Sequence, residues 1–333
     1  MLKAPSFWQS PRTLKDKICI KALTPLGLIY GWVAKKRFDF HYPVPLARPV
    51  VCIGNITMGG TGKTPAAMAV CDMLKERGHN PHFLSRGYGG SEEGPLQVSP
   101  DRDTPADVGD EPLLLVHKAP TWISTSRPLG AQAAIDTGAS VIIMDDGFQN
   151  PSLHKDFSLV VIDGGAGFGN KKIFPAGPLR EDIAFGLSRA DAVVIVGEDA
   201  TGAENEVMKH TPHLPVFKAH LKPDTTNPDI SGKTVFAFAG IGRPEKFRDS
   251  LIAAGAIIDT WKSFPDHFPY TETDLADFMN AAEEKGAIVL TTAKDHVRLP
   301  ASLQSHVSVF RVEMAFDDPG RLADMLDTAL AEH

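Results

Sequence analysis

The sequence predicts an α/β fold in which a largely parallel sheet is flanked by helices, with a second, smaller α/β unit behind it and an apolar helix in front. Three observations carry this expectation. Short apolar runs alternate with helix-length stretches from residue 49 onward. A glycine-rich turn follows the first of those runs directly. A basic, apolar segment precedes it.

Taken in order, residues 49–53 read as a buried strand and 64–77 as a helix stopped at Gly78. Residues 81–85 are a short strand, and 86–110 a long loop rich in Gly, Asp and Pro. Helical stretches at 111–118 and 129–137 alternate with strands at 121–124, 141–144, 159–162 and 192–196. Apolar strands separated by helices need crossover connections, which makes their sheet parallel. A second alternation follows: a strand at 234–239, a helix at 244–254, and strands at 287–291 and 307–312. Residues 216–221 and 311–316 are expected to pair as a narrow hinge between the units. The division is therefore a segment at 1–40, a core at 41–222 and a smaller unit at 223–333.

Composition narrows the function. The chain has 333 residues, 43% hydrophobic and 23% charged, the balance of a globular protein with a real core. Cys19, Cys52 and Cys71 lack both pairing number and metal spacing, which fits a reducing cytoplasm. The net charge of −7 is uneven. Residues 1–50 hold nine Lys and Arg, among them Lys3 and Arg12, against Asp16 and Asp39, so they carry +7. The rest carries −14. A basic arm on an acidic body points to an anionic surface and not to a nucleic-acid track. Within the arm, residues 18–34 are apolar, broken by Lys21 and Pro25 and followed by Lys35, Lys36 and Arg37. Seventeen residues fall short of a comfortable span of about 20. A helix lying in the membrane interface suits them, with Tyr30 and Trp32 at headgroup depth.

The strongest motif runs from Val51 to Pro65. An apolar strand feeds the turn Thr57-Met58-Gly59-Gly60-Thr61-Gly62-Lys63-Thr64, and a helix follows. Glycines let backbone N–H groups turn onto phosphate oxygens, and the helix offers its positive end to the same anion. Lys63 then reaches the β- and γ-phosphates, and the Thr64 hydroxyl ligates Mg²⁺. This is a P-loop NTPase core, with ATP and Mg²⁺ as the expected cofactors. One position departs from GxxxxGK[ST]: Thr57 stands where the first glycine is usual. Gly165-Ala-Gly-Phe-Gly169 and Ala293-Lys294-Asp295 imitate nucleotide motifs but lack required positions, and both are set aside.

Acidic residues complete the constellation. The strand at 141–144 runs into Asp145-Asp146, where P-loop enzymes keep a magnesium-associated acid. Asp110 precedes a helix and reads either as its cap or as a catalytic carboxylate. Asp266-His267 sits between Pro265 and Pro269 in what reads as a rigid functional loop, although a lone His is more often structural than catalytic. Arg86 and Arg180 stand in loops as possible phosphate ligands, the latter next to Glu181.

With these motifs assembled, the chain resembles the tetraacyldisaccharide 4′-kinases of lipid A biosynthesis. The resemblance rests on GNITMGGTGKTP (54–65), SRGYGG (85–90), VGDEP (108–112), DDGFQN (145–150), FGNKKIFPAGPLRE (168–181), AGIGRPEKF (239–247), FPDHFPYT (264–271) and TTAKDHVRL (291–299). Thr57 looks like the family's own variant of the loop. The resemblance implies ATP-Mg²⁺ phosphorylation of the 4′-hydroxyl of a lipid disaccharide 1-phosphate at the cytoplasmic face of the inner membrane. The enzyme would be peripheral or shallowly anchored among the membrane lipids, with no nucleic acid and no obligatory protein partner. It implies Asp110 as general base with His267 as partner, Asp145 and Asp146 with the magnesium, and Gln149 and Glu181 close by. A lipid-independent nucleotide switch and a structural membrane adaptor are the rival classes. The first lacks a base-reading motif, and the second sits poorly with an intact Lys63, Thr64 and Asp145–Asp146.

Overall fold

A computed structural model of the chain describes residues 5–9, 13–331 and 333. Lys3 and Arg12 of the basic arm lie outside the described residues.

The first α-helix of the described residues is α1 (Leu14–Asp39), after a 3-10 turn at Ser6–Trp8. The core then runs β1 (Val50–Gly54), α2 (Lys63–Glu76), β2 (Pro81–Ser85), β3 (Leu96–Gln97), α3 (Pro105–Val108), α4 (Asp110–Leu115), β4 (Thr121–Ile123), α5 (Arg127–Asp136), β5 (Val141–Asp145), β6 (Phe157–Asp163), α6 (Ile183–Leu187), β7 (Ala192–Val196), α7 (Ala203–His210) and β8 (Val216–Pro223). The second alternation is β9 (Thr234–Ala239), α8 (Pro244–Ala253), β10 (Ile257–Ser263), α9 (Glu272–Glu284), β11 (Ile288–Thr292), α10 (Ala293–His296), α11 (Ala301–Gln304) and β12 (Ser308–Phe310). The chain closes with β13 (Val312–Phe316) and α12 (Pro319–Ala331).

Two sheets result. The larger has the order β13-β8-β7-β6-β1-β5-β2-β4-β3 and is parallel except for its two edge strands. The smaller, β10-β9-β11-β12, is parallel throughout. β1 sits between β6 and β5, where the connections reverse direction. Such a switch point opens a crevice at the carboxyl ends of the strands.

β1 shows why the sheet is buried on both faces. Val51 and Ile53 enter one core with Val70 and Leu74 of α2 and with Leu322 and Leu326 of α12. Val50 and Cys52 enter the opposite core with Ala131 of α5, Leu187 and Val207. A period of two with no polar phase is what two covered faces demand. In the smaller sheet, Phe236 and Phe238 pack on Leu275 and Phe278 of α9, while Val235 and Ala237 pack on Phe247 and Leu251 of α8.

The boundary of the second unit differs from the 223–333 expected. Its sheet ends at β12, and β13 with α12 returns to the large sheet. The 307–312 run breaks at Arg311 into two strands belonging to different sheets. The two crossing chains are stitched together: Asn227 Nδ2 donates to Arg311 O at 2.8 Å and Arg311 N donates to Asn227 Oδ1 at 2.7 Å. β8 and β13 lie antiparallel beside this stitch, Met314 facing Leu221. The 86–110 stretch is no plain loop, since β3 and α3 lie within it.

α1 starts at a capping box in which Thr13 and Asp16 bond each other's backbone N–H, at 3.1 and 2.9 Å. Its 26 residues are longer than the apolar run. One narrow face docks on the core. A methyl group added at Gly27 would stand 2.7 Å from Ile173 O, and one at Gly31 would stand 2.6 Å from Ile173 Cδ1. Tyr30 meets the Phe174 ring, and Phe38 meets Phe185. The other face leaves Leu28, Ile29 and Trp32 more than half exposed.

Candidate active site

The phosphate loop is shaped by two glycines with positive φ, Gly59 at 106° and Gly62 at 95°. Gly62 caps α2 in the left-handed region, where a side chain would be strained. Methyl groups added at Gly59 or Gly60 would meet no atom within 4 Å, so the loop opens freely onto the cleft. Thr57 needs no glycine, because its φ is not among the positive ones. It lies instead in a short antiparallel bridge to Leu179. Met58 N donates to Pro178 O at 2.7 Å and Arg180 N to Ile56 O at 2.8 Å. The 178–180 segment thus braces the front of the loop and delivers Arg180.

Asp145 ends β5 beside β1, and the Thr64 hydroxyl donates to its Oδ2 at 3.0 Å. Asp146 turns out of the strand at φ 55°, and Lys63 Nζ stands 3.8 Å from its Oδ1. Arg180 grips Asp146 with both guanidinium nitrogens, at 2.7 and 3.2 Å. Gln149 accepts from Arg180 at 3.2 Å and donates to Glu181 at 2.7 Å. Arg189 closes the network against Glu181, its guanidinium stacked on Phe38, Phe148 and Phe185.

The neighbouring acids are pushed opposite ways. Burial, with Glu111 and Asp146 nearby, raises the Asp145 pKa to about 7 despite Lys63. Burial also opposes charge on Asp146, but Lys63 and Arg180 outweigh it and hold its carboxyl below the usual range. Asp145 Oδ1 is buried with no hydrogen-bond partner. A buried oxygen without a donor, on an acid short of positive charge, beside a hydroxyl and a phosphate cradle, fits a hard cation with oxygen ligands. Thr64, Asp145 and Asp146 are the donors that suit Mg²⁺.

The facing wall belongs largely to the second unit. Asp110, the first residue of α4, is buried, and its Oδ2 accepts from Arg298 Nε at 2.9 Å and Nη2 at 2.5 Å. His267 Nδ1 lies 3.1 Å from the same oxygen and Lys294 Nζ 3.8 Å. Burial raises the cost of its charge, yet His267, Lys294 and Arg298 prevail and hold Asp110 well below the usual carboxylate range. The capping alternative is partly realised, since Oδ1 accepts from Glu111 N at 3.1 Å, but the cap position itself is Gly109. His267 takes a left-handed φ of 58°, so its loop holds a conformation costly for a non-glycine residue. With Nδ1–H on Asp110, its Nε2 carries the lone pair, 3.5 Å from Lys294 Nζ. Asp266 Oδ1 accepts from His267 N at 3.1 Å.

Both walls line one cleft of about 1360 Å³, which also receives Arg86, Tyr88, Arg127 and, from α1, Tyr30 and Arg37. All the residues expected at the site line it except Thr57, which is held in its bridge to Leu179, and two carboxylates, Asp110 and Glu181, which are buried and contact His267 and Gln149. Three residues were not legible from their own sequence context. Lys294 belonged to a discarded imitation motif, and it joins Glu111 at 3.2 Å across the cleft. Arg298 lies in a helix-like polar stretch. Arg127 is buried with an unpartnered Nε, and burial together with Arg86 lowers its pKa to about 10. For Arg298 the only sequence signal was membership of the 291–299 motif.

Comparison with known proteins agrees with this architecture. Residues 19–331 match the family model described as tetraacyldisaccharide-1-P 4′-kinase. The tetraacyldisaccharide 4′-kinase of Paramagnetospirillum magneticum is 48% identical over 326 residues, covering 98% of each chain. That of Rhodospirillum rubrum is 47% identical over 330 residues, covering 98% of this chain and 97% of its own. The crystal structure of LpxK from Aquifex aeolicus in complex with ATP superposes with a TM-score of 0.75 at 29% identity, covering 93% of this chain and 99% of that one. On matches of this extent and identity, the chain belongs to the tetraacyldisaccharide-1-P 4′-kinase family.

Proposed function

We infer that the protein is an ATP-dependent kinase that phosphorylates the 4′-hydroxyl of a tetraacylated glucosamine disaccharide 1-phosphate, a step in making lipid A. One observation carries the reading. A phosphate loop with Lys63 and Thr64 tied to Asp146 and Asp145 faces, across a single cleft, a His267 held by a buried Asp110.

Phosphoryl transfer asks mainly for positioning and for charge to be neutralised. The loop amides from Gly59 to Thr64 hold the phosphates, and Lys63 neutralises them from inside the cleft. Magnesium, when bound, would supply positive charge to offset that of the phosphates. Thr64, Asp145 and Asp146 would hold it, with Gln149 and Arg180 fixing the Asp146 side. Arg86 and Arg127, two cations that line the cleft, offer an anion site for further phosphate oxygens.

The acceptor's proton goes to the Asp110–His267 pair. Asp110 Oδ2 is already engaged by Arg298, so it stays ionised and orients the imidazole. His267, the more exposed member at 28%, presents Nε2 to the cleft. Lys294 and Asp266 hold that ring in place. Closing the cleft about the β8–β13 neck would complete the site only when both substrates are in.

The acceptor is a lipid, and the exposed apolar face of α1 supports a membrane surface as its source. The helix is apolar enough to cross a bilayer by length and composition. Its docked face and its Lys35-Lys36-Arg37 end suit a helix lying at the cytoplasmic face of the inner membrane. Because Tyr30 and Arg37 also line the cleft, lipid gathered by α1 arrives at its mouth.

The test is transfer of labelled γ-phosphate from ATP to the purified disaccharide 1-phosphate lipid in detergent micelles, with the product's phosphorus position read by NMR. A new phosphomonoester at the 4′ carbon is expected. ATP hydrolysis that ignores the lipid would leave the protein a nucleotide switch.

A further inference from the structure

The connection from β9 to α8 reaches across the cleft onto the phosphate loop. A methyl group added at Gly242 would lie 3.9 Å from Gly60 N and 3.5 Å from Asp266 Oδ2. Both are ordinary contact distances, so the connection lies close against the loop. The next residue, Arg243, sends its Nη1 to Asp163 Oδ1 at 2.7 Å. Lys246, in the first turn of α8, sends Nζ to Asp163 Oδ2 at 2.5 Å. Asp163 ends β6, the strand beside β1.

The burial of the three is unequal. The Asp163 side chain is 5% exposed, whereas Arg243 and Lys246 are each 42% exposed and line the cleft. The acid is fixed in the wall and the cations stand at its surface. One carboxylate facing two cations leaves positive charge in excess beside the loop that receives phosphates. It also leaves a spare: if Arg243 turns away, Lys246 still neutralises Asp163, so no buried charge is stranded.

We propose that Arg243 is a further catalytic residue, a guanidinium that the second unit supplies to the β- and γ-phosphate oxygens of ATP, with Asp163 as its resting partner. The proposal rests on the reading of residues 57–64 as the ATP phosphate site. In the transfer, the bond from the γ-phosphorus to the β–γ bridging oxygen breaks and its electron pair stays on ADP. A bond from phosphorus to the acceptor hydroxyl oxygen forms, and the hydroxyl proton passes to the Asp110–His267 pair. Negative charge therefore grows on the bridging oxygen, held over the loop that Gly242 covers. A planar fork of donors arriving there favours the transition state over the ground state. Arg243 and His267 sit on the same unit, so one closing movement delivers both the charge and the proton acceptor.

The experiment compares Arg243→Ala, Arg243→Lys and Asp163→Asn in lipid phosphorylation, and measures binding of Mg-ADP with and without aluminium fluoride. Loss of one preorganised donor set should lower kcat of Arg243→Ala by about 10²–10³. Binding of Mg-ADP alone should stay within about threefold, while the aluminium fluoride complex weakens by about 10². Asp163→Asn breaks the same ion pair from the other side and should lose less than about tenfold in kcat. Equal losses in Arg243→Ala and Asp163→Asn would reduce the pair to a latch between the units and overturn the proposal. So would unchanged kcat, or equal weakening of both ADP complexes. Should Arg243→Ala unfold, Arg243→Lys keeps the charge; a kcat drop of more than about tenfold with normal ADP binding supports the proposal, and no drop overturns it. Lys63→Ala separates the underlying reading, because only full turnover in that variant would remove the ATP site itself.

Discussion

In the proposed mechanism Lys63 handles charge and the Asp110–His267 pair handles the proton. Lys63 is held ready by Asp146 at 3.8 Å, a contact loose enough to yield to phosphate. Lys63→Ala should lower turnover by at least about 10² with an unchanged unfolding temperature, since removal of one charge clamp on a phosphate costs that order. Near-normal phosphorylation would take the loop out of the mechanism. The proton side makes a different prediction. Asp110 and His267 share one hydrogen bond, so their losses should overlap. Each alanine variant should lose about 10²–10⁴ in kcat, with little change in the KM for ATP, and the double variant far less than the product. Fully multiplicative losses would mean that the two act separately. Because Asp110 is held ionised well below the usual range, a rise of kcat with pH near neutrality does not come from its own titration.

At the scale of elements, the local physics decides what was legible. β1, β5 and β7 are apolar runs buried on both faces, β5 closing on Asp145, and the sequence predicts them within a residue or so of their ends. β10 reads Ile257-Ile-Asp-Thr-Trp-Lys-Ser263 at a sheet edge with none of its residues buried, so its pattern is too mixed to announce a strand. α12 is amphipathic but starts at Pro319-Gly320, which reads as a turn until its Leu322 and Leu326 find the large core. The phosphate loop was legible because its glycines, lysine and threonine are contiguous. Arg298 and Lys294 were not, because they gain meaning only when the second unit folds against Asp110. α1 shows the same split. Its apolar run was plain, but its docked face depends on Gly27 and Gly31 meeting Ile173. Deleting the helix would therefore uncover Ile173 and Phe174 as well as remove the exposed apolar face. A cleaner test replaces the exposed Leu28, Ile29 and Trp32 with Gln. Sedimentation with anionic vesicles should fall while thermal unfolding and ATP affinity hold, and retained binding would shift the attachment to another surface. Gly27→Leu makes the opposite case. It should loosen the docked helix by about 1–3 kcal/mol through overpacking against backbone, read as a lower unfolding temperature.

For the whole molecule, the two units are held across the cleft by core carboxylates that accept cations from the second unit. Asp110 takes Arg298, and both side chains are 6% exposed. Removing one partner of so buried a pair strands the other, so Arg298→Ala should cost about 3–5 kcal/mol and separate the units before the core melts. The same contact has a pH signature whose sign is fixed. The Asp110 pKa is lower in the folded protein than its ordinary value near 3.9 in an unfolded chain. Its contribution to stability is therefore fully present above that ordinary value. It is lost as pH falls from there toward the folded pKa, because the unfolded state then binds the proton first. Asp110→Asn keeps the shape and removes the titration. The stability gap between wild type and this variant, from denaturant unfolding, should be flat above about pH 5 and narrow steadily below pH 4. A gap that instead widened on acidification would mean that Asp110 is strained by its burial, and that Arg298, His267 and Lys294 do not outweigh that cost.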